Sequence, residues 1–386
     1  MKKSIIFGMI IVSSTLFSEE GASVKPNECK GPVLCPSYPI YGRNDDCCDY
    51  RWHINLGLLY QQPWMSNMGA GTEDKGQDVL ETNSPYKNAT STFLEECFDY
   101  SLGLTAAIGY FMDHDNWFLL AEFDWLSAKK SSSFDTPGSI YHMMGFTNLN
   151  VITVDSLDEY NIWRNVFTGL GSKSSLDIYE LDVTLSRGSF HSRCFSYEPF
   201  AGVKALWYNG SQQRNGYNDT AQYFGDNNSY VQTIFSYKSW GAGLVFGFKG
   251  EYFLTEAVSI FSDSDISVLY GGINSSNTTL FINKFVNNET QGVAKYVQNF
   301  NQPYFVPVRS IFGLKFGKYC LEDKHYIALK IGYDARYIFA DSGLFGYIGS
   351  GTIVDTALVI GSVPIMPTNG YNIAANGLYL NFIWNF

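Results

Sequence analysis

From Trp52 to the last residue, the chain repeatedly places apolar side chains at every second position. In Gly377–Phe386 these are Leu378, Leu380, Phe382, Trp384 and Phe386, while Gly377, Tyr379, Asn381, Ile383 and Asn385 alternate with them. Successive side chains of a strand point to opposite faces, so this period predicts a strand with one greasy and one mixed face. Nine earlier stretches repeat it. The greasy faces run Trp52–Tyr60, Tyr100–Tyr110, Trp117–Trp125, Tyr179–Leu185 and Ala201–Trp207 in the first half. Trp240–Phe248, Val258–Tyr270, Phe312–Phe316 and Ile327–Tyr337 follow in the second.

Each greasy face has about the length a tilted strand needs to cross a bilayer, roughly nine to eleven residues. Aromatic residues stand at many of their ends, as at Trp52 and Tyr60 or Tyr100 and Tyr110, where interfacial girdles belong. The opposite faces are rich in Gly and charge, and no charge interrupts a greasy face. The links also alternate. Short ones join strands 2–3, 4–5, 6–7 and 8–9, whereas Gln62–Asp99, Ala128–Ser175, Asn209–Ser239, Gly271–Val308 and Phe339–Asn376 are long. The pattern predicts an all-β, transmembrane, up-and-down antiparallel barrel of at least ten strands, with long extracellular loops, short periplasmic turns and both termini in the periplasm. Thr279–Val286 and Thr352–Ile360 could add hairpins, which would bring the number to fourteen.

Composition fits this reading without deciding it. The chain has 386 residues, 45% hydrophobic and 17% aromatic, with 36 Gly and a net charge of -11. Its mean hydropathy of -0.10 is what alternating lipid-facing and lumen-facing residues average to. The acidic balance argues against a nucleic-acid partner. Lys2-Lys3, the apolar run Ile5–Val12 and the small residues to Ser18 predict a secretory signal peptide over 1–23, cleaved between 18 and 23. A Cys-rich periplasmic segment, 24–50, then precedes a barrel over 51–386. Cys29, Cys35, Cys47, Cys48, Cys194 and Cys320 map to the periplasmic side and are disulfide candidates, while Cys97 approaches the outer rim. They form either local bridges or links to other envelope proteins. No C-x2-C pair supports zinc, and no metal or cofactor is expected.

Trp52-His-Ile-Asn-Leu-Gly-Leu-Leu-Tyr, Arg309-Ser-Ile-Phe-Gly-Leu-Lys-Phe-Gly and the Phe-ended last strand together resemble the Legionella-type major outer membrane protein family. Similar proteins in Chlamydia-related bacteria are called MOMP-like porins. The resemblance implies a surface-exposed, porin-like protein of the bacterial outer membrane and, for the chlamydial members, a disulfide-crosslinked envelope.

Inward-facing positions carry the chemistry. Glu122, Asp124, Glu180 and Asp182 fall on strands 3 and 4, Lys204 and Lys249 on strands 5 and 6, and Asp263 and Asp265 on strand 7. Arg309, Lys315, Lys330, Asp334 and Arg336 fall on strands 8 and 9. These residues either line a wet pore as opposing acidic and basic walls, or pair into a network that plugs a narrow barrel. An enzyme is not expected: of His53, His114, His142, His191 and His325 only His142 lies in an external loop, and no hydrolase or nucleotide motif appears. The expected function is passive diffusion of small hydrophilic solutes. The alternative is a structural or adhesive protein whose plugged barrel anchors its loops. Expected partners are outer-membrane lipid, the barrel-assembly machinery reading Phe382, Trp384 and Phe386, disulfide-linked envelope proteins and further copies of the chain.

Overall fold

The computed structural model describes residues 51–65, 69–75, 90–112, 117–136, 139–143, 149–152, 159–163, 167–192, 194–218, 229–255, 257–285, 288–320, 325–341 and 372–386. The expected signal peptide, the Cys-rich segment with Cys29, Cys35, Cys47 and Cys48, and the candidate strand 352–360 lie outside them. Among the described residues no helix is long and apolar enough to cross a membrane.

Ten strands form the barrel. They are β1 (Trp52–Met65), β2 (Ser101–Phe111), β3 (Trp117–Phe134), β4 (Gly169–Arg187) and β5 (Phe195–Asn218). The second half supplies β6 (Ser229–Phe253), β7 (Val258–Phe285), β8 (Asn288–Cys320), β9 (His325–Asp341) and β10 (Ile373–Asn385). Each is antiparallel to its neighbours in the sequence, and β1 pairs with β10 to close the ring. The closing register runs from His53↔Asn385 to Met65↔Ile373, and Phe386 N donates to Trp52 O at 3.0 Å. Closure leaves the ring with no exposed sheet edge in the hydrocarbon, where unpaired backbone groups would be costly.

The outward faces are those the alternation predicts. Leu56, Leu58, Leu102, Leu104, Phe123, Val203, Leu244, Ile266, Leu314 and Leu380 are all exposed, Leu102 by 65%. Aromatic pairs bound this band: Trp52 and Tyr110 meet edge-on at 5.0 Å on the periplasmic side, and Tyr60 stacks on Tyr100 at 5.2 Å on the outer side. Leu104→Arg, at the middle of this face, should destabilise the refolded barrel by about 2–4 kcal/mol in a lipid-based unfolding titration. The same change at Ser131, near the outer end of β3, should be nearly neutral.

Two expected loops are strands instead. The stretch 209–239 is the upper part of the β5–β6 hairpin, paired up to Asn218↔Ser229. The stretch 271–308 belongs to β7 and β8, paired up to Phe285↔Asn288 apart from a register shift at Tyr270/Gly272. Residues 279–285 therefore extend β7 rather than adding a strand, and the described ring has ten. The physical reason is that a backbone ladder does not need lipid. Beyond the bilayer no face must be greasy, so pairs such as Asn277↔Tyr296 hold the sheet while the apolar alternation disappears. With 33 residues, β8 is about three times the length a membrane crossing requires. The connections after β1 and β3 carry a small sheet of their own, Gly69–Lys75 between Thr90–Glu95 and Ser139–Met143. Leu149–Ile152 pairs with Glu159–Trp163.

Candidate functional site

The barrel interior divides into three levels. Uppermost, near the outer girdle, is an apolar layer. Met65 of β1, Leu126 of β3, Leu176 and Ile178 of β4, and Leu206 and Tyr208 of β5 all contribute buried side chains. Tyr237, Leu269, Phe305, Ile338 and Ile373 continue the layer from β6 to β10. Tyr237 Oη donates to Met65 Sδ at 2.6 Å, joining β6 to β1, which stand opposite each other in the ring. Phe98 enters the layer from the external connection before β2 and is buried. Its carbonyl accepts from Gln62 Nε2 at 2.9 Å. Just outside, the buried Glu96 carboxylate accepts from Ser172 Oγ at 2.8 Å and Ser174 Oγ at 3.1 Å. An external segment is thus fastened into the barrel mouth.

Beneath lies a belt of charge. Arg309 of β8 reaches Glu122 at 3.1 Å and Asp124 at 2.7 Å, both on β3. In a ring of ten, β3 and β8 are diametrically opposed, so this guanidinium spans the bore. Its other nitrogen meets Asp334 at 3.1 Å. Arg336 of β9 binds Asp124 at 2.8 Å, Asp334 at 2.9 Å and Glu180 of the opposed β4 at 3.5 Å. Lys204 of β5 completes the belt, with Glu180 at 3.5 Å, Asp182 at 3.2 Å and Asp265 at 3.0 Å. The planar guanidinium explains why arginines occupy the crossing positions, because one group can serve several carboxylates on a fixed fork.

The third level lies towards the periplasm. Here Leu59, Phe261, Ile311 and Tyr379 form a second buried apolar cluster, and Asn55, Phe118 and Asn381 are buried too, whereas Phe200, Lys249, Asp263, Lys315 and Lys330 are only partly so. Lys315 pairs with Glu251 at 2.9 Å. Lys249 and Lys330 make no ion pair among the described residues. Each lies over a ring instead, Lys249 at 5.5 Å from Phe200 and Lys330 at 4.8 Å from Phe261.

All thirteen charged residues expected to face inward are inside the barrel. Nine of them, Glu122, Asp124, Glu180, Asp182, Lys204, Asp265, Arg309, Asp334 and Arg336, form the belt. Lys249, Asp263, Lys315 and Lys330 lie below it. Opposing walls were one of the two expected arrangements, and at belt height those walls touch. Glu96, Phe98, Glu251 and the apolar layer were missed. A signal for the layer existed: inward positions change from charged to apolar at Leu126, Leu176, Leu206, Leu269 and Ile338. The segment holding Glu96 and Phe98 carries no comparable alternation.

Cys320 ends β8 on the periplasmic side. Cys194, buried before β5, is disulfide-bonded, and its partner is not among the side chains described. Phe382, Trp384 and Phe386 lie on the lipid-facing side of β10. Among the described residues no group of three or more His, Cys, Asp or Glu could hold a metal ion.

The family described as Legionella pneumophila major outer membrane protein precursor matches residues 46–386. No curated protein matches the chain. Among solved structures, the outer membrane protease OmpT of Escherichia coli is similar at 10% identity and a TM-score of 0.35, covering 87% of this chain and 96% of that one. The Pseudomonas putida toluene transporter TodX is similar at 9% identity and a TM-score of 0.26, covering 87% and 90%. Scores of this size carry no argument about activity.

Proposed function

The chain belongs to the Legionella pneumophila major outer membrane protein family, and from that premise we propose that its barrel is a closed anchor for surface structures rather than a through-channel. It is an outer-membrane β-barrel with loops at the cell surface. The observation that carries the proposal is the Arg309–Asp124 contact of 2.7 Å between opposed strands, beneath an apolar layer fed from nearly every strand. A hydrated solute passing through would have to part the arginine bridges and also cross the layer that Phe98 completes. Either step is expensive, since unpairing a buried charge costs about 3–5 kcal/mol.

Passive diffusion of small hydrophilic solutes is the second reading, favoured by the partly exposed inward charges Lys249, Asp263, Lys315 and Lys330 below the belt. It requires a second arrangement of both upper levels. Liposome swelling separates the two. Vesicles carrying the refolded barrel should swell in an isotonic small sugar no faster than empty vesicles, and rapid swelling would restore the diffusion reading. In the anchor reading the signal peptide over 1–23 directs export, and Phe382, Trp384 and Phe386 address the barrel-assembly machinery. Cysteines before residue 50 are then placed to link neighbouring envelope proteins or further copies of the chain. Non-reducing electrophoresis of isolated envelopes should show bands above monomer mass, and a monomer band alone would remove the crosslinking part.

A further inference from the structure

Away from the bore, the lipid-facing surface carries a groove of about 400 Å³ at the periplasmic end of β7 to β10. Its walls are Val258, Phe316, Ile327, Leu329 and Phe382, all on the outward side of their strands, and Lys318 stands at its rim. The register explains why it is there. β7 begins at Val258, opposite Phe316, whereas β8 runs on to Cys320. At this step the small residues Ala257 and Gly317 stand side by side, and Gly317 N donates to the Ala257 carbonyl at 2.9 Å. The apolar side chains around them therefore rise above a floor without their bulk.

Lys318 is exposed and has no ion pair among the described residues. It lies opposite Ile327, which in turn lies opposite Trp384 of the periplasmic aromatic rim. That is the height at which headgroups meet the apolar band. Among the described strand residues, the lipid-facing charges at the periplasmic end are Lys318 and Arg187, and both are cations. Arg187, across the ring on β4, lies over the Trp117 ring at 5.9 Å. Lys318 instead heads the groove.

An apolar slot that ends in an unpaired ammonium at headgroup height fits a phospholipid, and the periplasmic leaflet of an outer membrane is built of phospholipid. A headgroup with an ammonium of its own would partly repel Lys318, so a net anion is favoured. We propose that the groove holds one anionic phospholipid of the periplasmic leaflet, with an acyl chain against Phe316, Leu329 and Phe382 and its phosphate on Lys318. The site lies outside the barrel, so the proposal goes beyond the anchor reading and stands whether the bore is sealed or open.

The test is native mass spectrometry of the full refolded barrel, released from nonionic detergent with phosphatidylglycerol or with phosphatidylcholine of the same acyl chains. One phosphatidylglycerol should be retained saturably, about fivefold more tightly than phosphatidylcholine, the worth of one lysine at an anionic surface. Lys318→Gln should remove that preference, whereas Arg187→Gln, which alters the lipid-facing cation without a groove, should leave it. Leu329→Trp fills the groove and should weaken retention of both lipids. Folding of each variant is checked by heat-modifiable electrophoretic migration. Equal retention of the two lipids, an unchanged preference in folded Lys318→Gln, an equal loss in Arg187→Gln or unchanged retention in folded Leu329→Trp would overturn the proposal. So would a dimer that Leu329→Trp disrupts, since the groove would then belong to a second copy of the chain.

Discussion

Arg309→Ala should be the most damaging single side-chain truncation in the barrel. One guanidinium neutralises Glu122, Asp124 and Asp334 together, at 3.1, 2.7 and 3.1 Å. Asp334 is fully buried and the Asp124 side chain is 3% exposed, so the carboxylates cannot recover their charge stabilisation from water. Arg336 would remain on Asp124 and Asp334, but Glu122 would keep no cation of the belt. Breaking a buried pair from one side costs about 3–5 kcal/mol. Urea unfolding of the refolded protein in lipid should show a loss of that size. Arg309→Lys should recover part of it, because an ammonium supplies charge without the fork that serves two strands at once. Pairing Arg309→Ala with Asp124→Ala should cost less than the sum of the two single changes. Strict additivity would mean that the bridge across the bore is not formed in the membrane.

Gly243→Val should prevent the barrel from forming. A Cβ at Gly243 would collide with the Val268 carbonyl oxygen and the Leu269 Cα of the neighbouring β7. Both obstacles are backbone, so no rotamer change relieves the overlap and the β6–β7 ladder would have to separate. Gly202 meets the same obstacle from Val183 and Thr184, which shows how tightly adjacent strands coil in this narrow ring. Strain of this kind exceeds the usual overpacking range of about 1–3 kcal/mol. The expected result is an absence of the heat-modifiable folded band. As a control, Gly171→Ala should fold normally, since its Cβ would meet only Asn215 atoms at 3.9–4.0 Å.

The membrane-spanning part of the fold was legible because two solvents write it into the chain. Lipid outside and a polar interior force a period of two, so the outward residues from Trp52–Tyr60 to Leu378–Phe386 could be assigned strand by strand. The same contrast placed all thirteen charged residues inside. Alternation ceases to inform where lipid ends. The upper halves of β5 to β8 are held by backbone pairing among Asn, Ser, Thr and Tyr, and a search for greasy faces reads such segments as loops. Contact across the bore was hidden for another reason. Face assignment gives direction and not reach, and Arg309 bridges to β3 only because ten strands make a ring narrow enough for one side chain to cross. Phe98 was the hardest to foresee, since its burial depends on where an external segment folds back.

That narrowness makes the account testable as a whole. Current across a planar lipid bilayer containing the refolded, monomeric barrel is the direct measurement. A barrel sealed by the Phe98 layer and the Arg309–Arg336 belt predicts no steps above the bare-membrane baseline in molar salt. Stable, ohmic steps from folded protein would contradict the seal and return the barrel to the role of a pore.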